Sequence, residues 1–595
     1  LKGSGSTPLL TPTISTALPA SAAQRMRSGG GAAESSRSVL DPAGKRPDVV
    51  VVGAGVYGLA TARRLAEEGL DVVLLERQAS IGGIWSNFAN ASSRVQNHEA
   101  AYRLGYAAAA EDYTQRDNVL AEMRRASAAV GVAERICCGQ EVVRVVDSED
   151  SPFVRVFHRR AHGAQGSAEV EAPAEELQAG SVIFCTGTLQ RPRCPLLPGE
   201  DVFGGPVVEG LGDAAEGLSF AGKSVVVVGM GSFAIESART ALLAGAAHVD
   251  IVTRRKNIVS TRFARVVNIL AHREFIRGRD SVHREREPEQ PQGPDPASLM
   301  LPPYLACGAR EAMPNVWLRE LNAGRQPFVW SADSSTPWTT SDFFFVACAL
   351  GRLEVHVGQV ERLERGCVRI AQGRQGSKLL RADIVVKNCG FEPPEEGDRM
   401  AGVCEVVGHR SYIPPMWITP RVLALRHETD LPPMSLEDWQ HGDELFNFVG
   451  SAPFGISVLL EIYLHFRERP EELKRLLPAA EPLRVTLSRT TKLDISRGIQ
   501  AALEAGGTGL RRRINERRLV VNEDTWERYA PAGTPASERR GRWVQGFLSQ
   551  NRADWQEACE QLAGDPHAVP YIWEPLLSQP PAAASESRPA PRAAL

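Results

Sequence analysis

The chain has 595 residues, too many for one hydrophobic core, so two to four domains are expected. A formal net charge of −3 argues against a nucleic-acid or membrane-surface partner, and no apolar run approaches the roughly 18 residues that span a bilayer. Ten cysteines are scattered, with no CxxC pair and no Cys/His cluster at zinc spacing. Reduced, buried thiols of an intracellular protein without a metal are therefore expected.

Residues 1–46 are rich in Gly, Ser, Ala, Thr and Pro and lack periodicity, so a disordered leader is expected. The sequence begins with Leu, which reads as a translated fragment with Met26 as a candidate start. Residues 1–33 carry Lys2, Arg25 and Arg27 but no acid, the composition of an organelle transit peptide; a non-functional or untranslated leader fits equally well. Localisation is accordingly expected to be cytoplasmic, or organellar if the leader is a true transit peptide.

The stretch Asp48 to Trp85 follows, DVVVVGAGVYGLATARRLAEEGLDVVLLERQASIGGIW. A wholly apolar strand turns on Gly53, Gly55 and Gly58, a helix follows, and a second apolar strand ends in Glu76 and Arg77. This is one βαβ unit with the dinucleotide fingerprint. Gly53 permits the tight turn, Gly55 lets backbone approach a pyrophosphate, and Gly58 lets the helix pack closely. The helix N-terminus offers free N–H groups and positive dipole to phosphates. Glu76 stands about 20 residues on, where a carboxylate accepts from ribose hydroxyls. A glycine-rich turn without ligand is the alternative. Next, Gly83 can bring backbone amides to the dinucleotide, and Trp85 supplies a flat apolar wall.

The polar loop Ser92 to Tyr106 holds Asn97, His98 and Tyr102. Residues 114–133 read as helical and 140–187 as a β-meander, ending in an apolar strand and then Cys185-Thr186-Gly187-Thr188. Small residues there, Thr186 and Gly187, let the chain pass close to a cofactor. Leu189 to Gly199 is a proline-rich connector.

The opening pattern then returns. Ser224 to Val228 is a strand, Gly229, Gly231 and Ala234 form GxGxxA with Ser232 following the second glycine, and a helix runs to about Leu243. The next strand ends in Arg254-Arg255 instead of an acid. A carboxylate would repel a 2′-phosphate, whereas two guanidiniums bind it bidentately, so NADP rather than NAD is expected at this second unit. A solvated basic loop is the alternative. Phe343 to Leu350 is a core strand or helix, and Leu350 to Ile384 reads as a hairpin pair with Gly373 and Gly376 as turn residues. It ends in Lys387-Asn388-Cys389-Gly390-Phe391, which mirrors the earlier Cys-Thr-Gly element. Phe446 to Val449 is a short apolar run, and helices are expected at about Ile456 to Glu471, Leu493 to Leu503 and Ala553 to Leu562.

The order GAGVYGLATA, ER, GGIW, VIFCTGTLQRPRCPLLPG, GKSVVVVGMGSFAIESA with RR, and a final Cys-Gly-Phe resembles the flavin-containing monooxygenases and their N-hydroxylating and Baeyer–Villiger relatives, over residues 48 to about 470. The resemblance implies an α/β fold of two Rossmann-like dinucleotide-binding domains, the NADPH domain inserted into the FAD domain, plus a mainly helical C-terminal extension. The implied limits are 47–210 and 386–470 for the FAD domain, 211–385 for the NADPH domain, 471–578 for the extension and 579–595 for a disordered tail. It also implies FAD and NADP as cofactors, and monooxygenation of a small organic substrate by O2 through a flavin hydroperoxide, of the N,N-dimethylaniline monooxygenase type. Asn97 becomes the candidate beside the flavin, although its sequence by itself favours a loop asparagine satisfying local backbone.

Two departures stand out. The family motif FxGxxxH appears as Phe203 to Glu209, with an acid in place of the histidine, and the last strand ends in NCGF where the family shows an ATGY-like run. An NADPH oxidase releasing hydrogen peroxide and an impaired nucleotide-binding scaffold are therefore the rival readings. A disulfide reductase is rejected, since residues 77–136 contain no cysteine.

Overall fold

The computed structural model describes residues 46–96, 113–128, 131–161, 173–187, 189–215, 217–254, 258–262, 338–392, 416–425, 458–477, 498–499, 501–514, 533–534 and 536–577. The expected leader, the tail and the apolar run at 446–449 lie outside these residues.

Two sheets carry the fold, and each is built around a strand with four consecutive valines. The first begins with β1 (Val49–Val52), α1 (Val56–Glu67) and β2 (Val72–Glu76), followed by the short α2 (Ile84–Asn87) and α3 (Arg116–Ala128). After β3 (Ile136–Cys138), the antiparallel meander β4 (Gln140–Val146), β5 (Val154–Arg160) and β6 (Glu175–Ala179) leads back to β7 (Ser181–Phe184). Beyond it come α4 (Glu200–Phe203) and β8 (Val207–Glu209), which is the edge strand of the second sheet.

The second unit repeats the plan. It runs β9 (Ser224–Val228), α5 (Ser232–Leu243) and β10 (His248–Thr253), then β11 (Ile258–Ser260), β12 (Trp338–Thr340) and α6 (Asp342–Ala349). β13 (Leu353–Val357) precedes a second antiparallel meander, β14 (Gln359–Glu364), β15 (Cys367–Ala371) and β16 (Ser377–Arg381), which returns to β17 (Ile384–Lys387). The hairpin β18 (Met416–Thr419) and β19 (Val422–Ala424) then rejoins the first sheet. The strand orders are β18-β19-β7-β1-β2-β3 and β13-β10-β9-β17-β8. The first sheet thus takes strands from both sides of the second in sequence, and only its edge strand β18 runs antiparallel.

Parallel strands covered on both faces must be apolar throughout, which is why the valine runs do not alternate with polar residues. In the second sheet, Val225, Val227, Val249 and Ile251 enter one core, while Val226 and Val252 enter another against Phe203, Leu363 and Ile370.

Three expectations need correction. The stretch 350–384 holds more than a hairpin pair: β13 pairs parallel with β10 in the main sheet, and the two hairpins follow it, past Gly358, as a three-stranded antiparallel meander. Its Gly373 and Gly376 do lie between β15 and β16. The helix expected from Ile456 to Glu471 is two, α7 (Val458–Phe466) and α8 (Pro470–Leu476), because Pro470 has no N–H and starts a new helix at its first position. The helix expected at Ala553 to Leu562 is the end of the much longer α9 (Ala536–Ala563), followed by α10 (Glu574–Leu577).

The C-terminal elements are part of the second unit's core. Phe547, Trp555, Cys559, Tyr571 and Trp573 pack with Ala238 and Leu242 of α5 and Phe343 to Phe345 of α6. Asn551 Nδ2 donates to Asp342 Oδ2 at 2.7 Å, and the partly buried Arg262 joins Asp342 (3.3 Å) to Asp554. On the first unit, α7 is fixed to α1 by a buried bidentate pair, Arg64 to Glu461 at 2.6 and 3.1 Å. Trp555 is 1% exposed and donates from Nε1 to the Val569 carbonyl at 3.1 Å. Trp555→Ala is expected to cost about 3–5 kcal/mol of stability, read by urea denaturation; an unchanged midpoint would place α9 outside the core.

Candidate functional site: two dinucleotide turns

The first turn is set by backbone contact. Gly53 has φ +98°, and a Cβ on it would lie 2.8 Å from the Cys185 carbonyl oxygen at the end of β7. One on Gly58 would lie 1.8 Å from the Gly53 carbonyl, so the third glycine closes the turn on itself rather than on the strand. Gly55 and Gly83 face each other: a Cβ on Gly83 would come 3.1 Å from the Gly55 Cα. No side chain caps the N-terminus of α1, which leaves its first amides for a ligand.

Glu76 ends β2 and is buried. Its Oε2 accepts from Ala54 N at 2.6 Å and its Oε1 from Gln78 N at 2.7 Å, so the acid braces the glycine turn. Burial raises its pKa, and these backbone donors and the neighbouring Arg77 work against that rise. Trp85 is buried within α2, part of the core rather than an open wall. At the end of β7, Thr186 Oγ1 is buried without a partner among the described residues, and Gln190 Nε2 donates to the carbonyls of Thr186 (3.1 Å) and Gly187 (3.2 Å). A lone buried hydroxyl beside a glycine cradle fits a polar ligand.

The second turn repeats this geometry. Gly229 has φ +116°, and a Cβ on it would lie 2.1 Å from the Asn388 carbonyl at the end of β17. Among the described residues nothing stands within 4 Å of where a Gly231 Cβ would be. Ser232, the first residue of α5, contacts Thr339 Oγ1 through its hydroxyl at 3.2 Å. Arg254 follows β10 and is exposed. Arg255 and Asn97 lie outside the described residues.

The two turns meet at an aromatic group. The Phe391 ring stands 5.2 Å from Phe88, just past α2, and 5.6 Å from Phe233, the second residue of α5. Phe391 belongs to the NCGF end whose Asn388 carbonyl closes the second turn, so one strand end serves both.

Several residues with structural work at this junction escape motif reading. Gln96, next to Asn97, accepts at Oε1 from Thr340 N (2.5 Å) and donates from Nε2 to Glu236 Oε1 (3.4 Å) on α5. Lys387 is buried and bonds to Glu200 (3.0 Å) and to Glu209 (3.1 Å), the acid standing at the family's histidine position. Burial opposes the lysine's charge, but these two carboxylates carry its pKa above the usual value. Glu209 is therefore a lysine counter-ion. A charge closing the apolar run Ile384 to Lys387 was the one visible signal.

Glu236 is buried, and its Oε2 has no partner among the described residues. Burial pushes its pKa up to about 7 against the pull of Arg239 and Arg94. A carboxyl raised above its unfolded value favours the fold below that unfolded value, and the advantage is lost as pH rises from about 4.5 to about 7. Glu236→Gln is expected to raise Tm at pH above 7 and to leave it nearly unchanged near pH 4.5. A Tm difference that does not vary with pH would contradict this protonation.

Comparison with known proteins finds partial likenesses. The family model of pyridine nucleotide-disulphide oxidoreductases matches residues 47–278. The chain is 25% identical over 224 residues to an FAD-containing monooxygenase EthA of Mycolicibacterium smegmatis, covering 36% of this chain and 42% of that protein. It is 28% identical over 195 residues to a Baeyer-Villiger monooxygenase of Streptomyces coelicolor (32% and 34% covered), and 31% identical over 194 residues to indole-3-pyruvate monooxygenase YUCCA1 of Oryza sativa subsp. japonica (32% and 44%). The chain thus spans less than half the length of these curated relatives. Among solved structures, an oxidized steroid monooxygenase bound to NADP aligns over 82% of this chain and 99% of its own at 16% identity and TM-score 0.48. No helix among the described residues is long and apolar enough to cross a membrane. Over its dinucleotide-binding part the chain is thus similar to flavin-dependent monooxygenases, including Baeyer-Villiger types.

Proposed function

We propose that the chain is an FAD- and NADPH-dependent monooxygenase acting on a small organic substrate at nitrogen, sulfur or a ketone. The observation that carries the reading is the Phe88–Phe391–Phe233 contact, which brings two helix N-termini of the same plan to one junction. The first unit, 47–210 with 386–470, is assigned to FAD and the second, 211–385, to NADPH. Bound FAD would accept the nicotinamide's electrons and activate O2, chemistry that no side chain here supplies.

The residues' task is to hold and orient. Gly53, Gly55, Gly58 and Gly83 leave backbone room for the FAD pyrophosphate. Glu76 keeps unused lone pairs for a ribose, and Arg77 lies beside it. Thr186 and Gly187 offer the unpartnered hydroxyl and a small turn, and Trp85 backs the cradle from the core. Gly229, Gly231 and Ser232 present the α5 amides to the NADPH pyrophosphate, while Arg254 and Arg255 take the 2′-phosphate. Asn97 is assigned beside the flavin.

Gly55→Asp should abolish flavin binding, because a carboxylate there would occupy the pyrophosphate's position opposite Gly83; a yellow, active variant would sink the first assignment. Arg254→Ala with Arg255→Ala should raise the KM for NADPH by roughly 10- to 100-fold, as expected for lost charged hydrogen bonds, and leave that for NADH nearly unchanged. Equal effects would remove the reason for choosing NADP.

One observation favours an oxidase instead: Glu209, at the family's histidine position, is committed to Lys387. Hydrogen peroxide formed per NADPH consumed separates the two readings. A monooxygenase predicts that peroxide falls and oxygenated product rises when the right amine, sulfide or ketone is added; full conversion to peroxide with every substrate supports the oxidase.

A further inference from the structure

We infer that the outer edge of the second sheet carries a divalent-metal site formed by His248, Asp250 and Glu354. These residues come from the paired strands β10 and β13, where Asp250 stands opposite Glu354 in register. One nitrogen or oxygen from each of the three lies within 4.8 Å of the others. Imidazole with two carboxylates suits zinc and its first-row neighbours.

The hydrogen bonds around the cluster orient its donors. His356 Nε2 contacts Asp250 Oδ1 at 2.7 Å, while its Nδ1 faces the Lys378 ammonium at 3.4 Å. Since an ammonium only donates, Nδ1 is the acceptor and Nε2 carries the proton given to Asp250. His248 is arranged in the opposite sense. Its Nδ1 lies 3.2 Å from the Gly351 carbonyl, which only accepts, so Nδ1 carries the proton. That leaves the Nε2 lone pair facing Asp250 Oδ1 at 3.3 Å. In the structure the two atoms pair directly as imidazole and carboxylate, and both lie within the 4.8 Å cluster that a divalent cation could take up as ligands. Glu354, on the solvent side, supplies the third donor.

The surroundings suit this use. A backbone carbonyl orients His248, and a buried imidazole orients Asp250, as outer groups do around metal ligands. Side-chain exposures of 33% for His248 and 59% for Glu354 leave an entry path. Lys378, on β16, lies 3.8 Å from Glu354 and is 43% exposed, so it is a mobile competitor for the same negative charge. An ion here would tie β10 to the edge strand β13, a structural role separate from the dinucleotide turns. No spacing rule reveals it, because the ligands come from strands about a hundred residues apart.

The test uses untagged, flavin-loaded full-length protein stripped with a chelator, titrated with Zn(II) at neutral pH by calorimetry. The site predicts one equivalent bound with a rise in Tm, and Co(II) should give absorption bands to the red of the flavin. His248→Ala with Glu354→Ala, both at the surface, should lower affinity at least tenfold without loss of bound flavin. His356→Gln should weaken binding roughly 10- to 100-fold through Asp250, and Lys378→Ala should tighten it. Absence of binding to the unaltered protein, or equal affinity in the double variant, overturns the proposal.

Discussion

Neither dinucleotide turn has room for a Cβ at its first glycine. Gly53 lies against the Cys185 carbonyl and Gly229 against that of Asn388, backbone on backbone. Much of the architecture follows from this approach. The strand supplying the carbonyl must lie beside the first strand, so β7 flanks β1 and β17 flanks β9. Each arrives there from an antiparallel meander, and each must end in residues that let the chain turn away, Cys-Thr-Gly in one case and Asn-Cys-Gly in the other. With the strand end held, the helix behind each turn presents its free amides.

The junction between the units is made of different material. Phe391 contacts Phe88 and Phe233, and Gln96 joins Thr340 to Glu236. Lys387 is held by Glu200 and Glu209. Behind the second unit, α9 and its Arg262–Asp554 pair close the core on α5 and α6. A buried carboxyl at Glu236 is costly unless protonated, and it stands on the helix that carries the second turn. The site is therefore supported by polar groups whose partners belong to distant segments, and the C-terminal helices belong to that support.

The repeated βαβ plan was legible because its determinants are local. Glycine spacing, valine runs and a charged strand end all fall within about 30 residues, the length of one such unit. The meander at 140–187 was legible for the same reason, through alternation. The second meander was misread where β13 joins the main sheet, because Leu353 to Val357 alternates like a hairpin strand and only its pairing with β10 shows otherwise. Gln96, Glu236 and Lys387 gave little or no signal, since each acquires its role from residues over a hundred positions away. The place of α9 in the second unit's core was hidden likewise: an amphipathic pattern announces a buried face but not what buries it.

The central claim is that electrons pass from a nucleotide on the second turn to a flavin on the first. Anaerobic mixing of the purified protein with NADPH, and separately with NADH, tests it through the absorbance of the oxidised flavin. The account predicts a yellow protein that NADPH bleaches in one rapid phase and NADH bleaches far more slowly. A colourless protein, or a bound flavin that NADPH leaves oxidised, would contradict it.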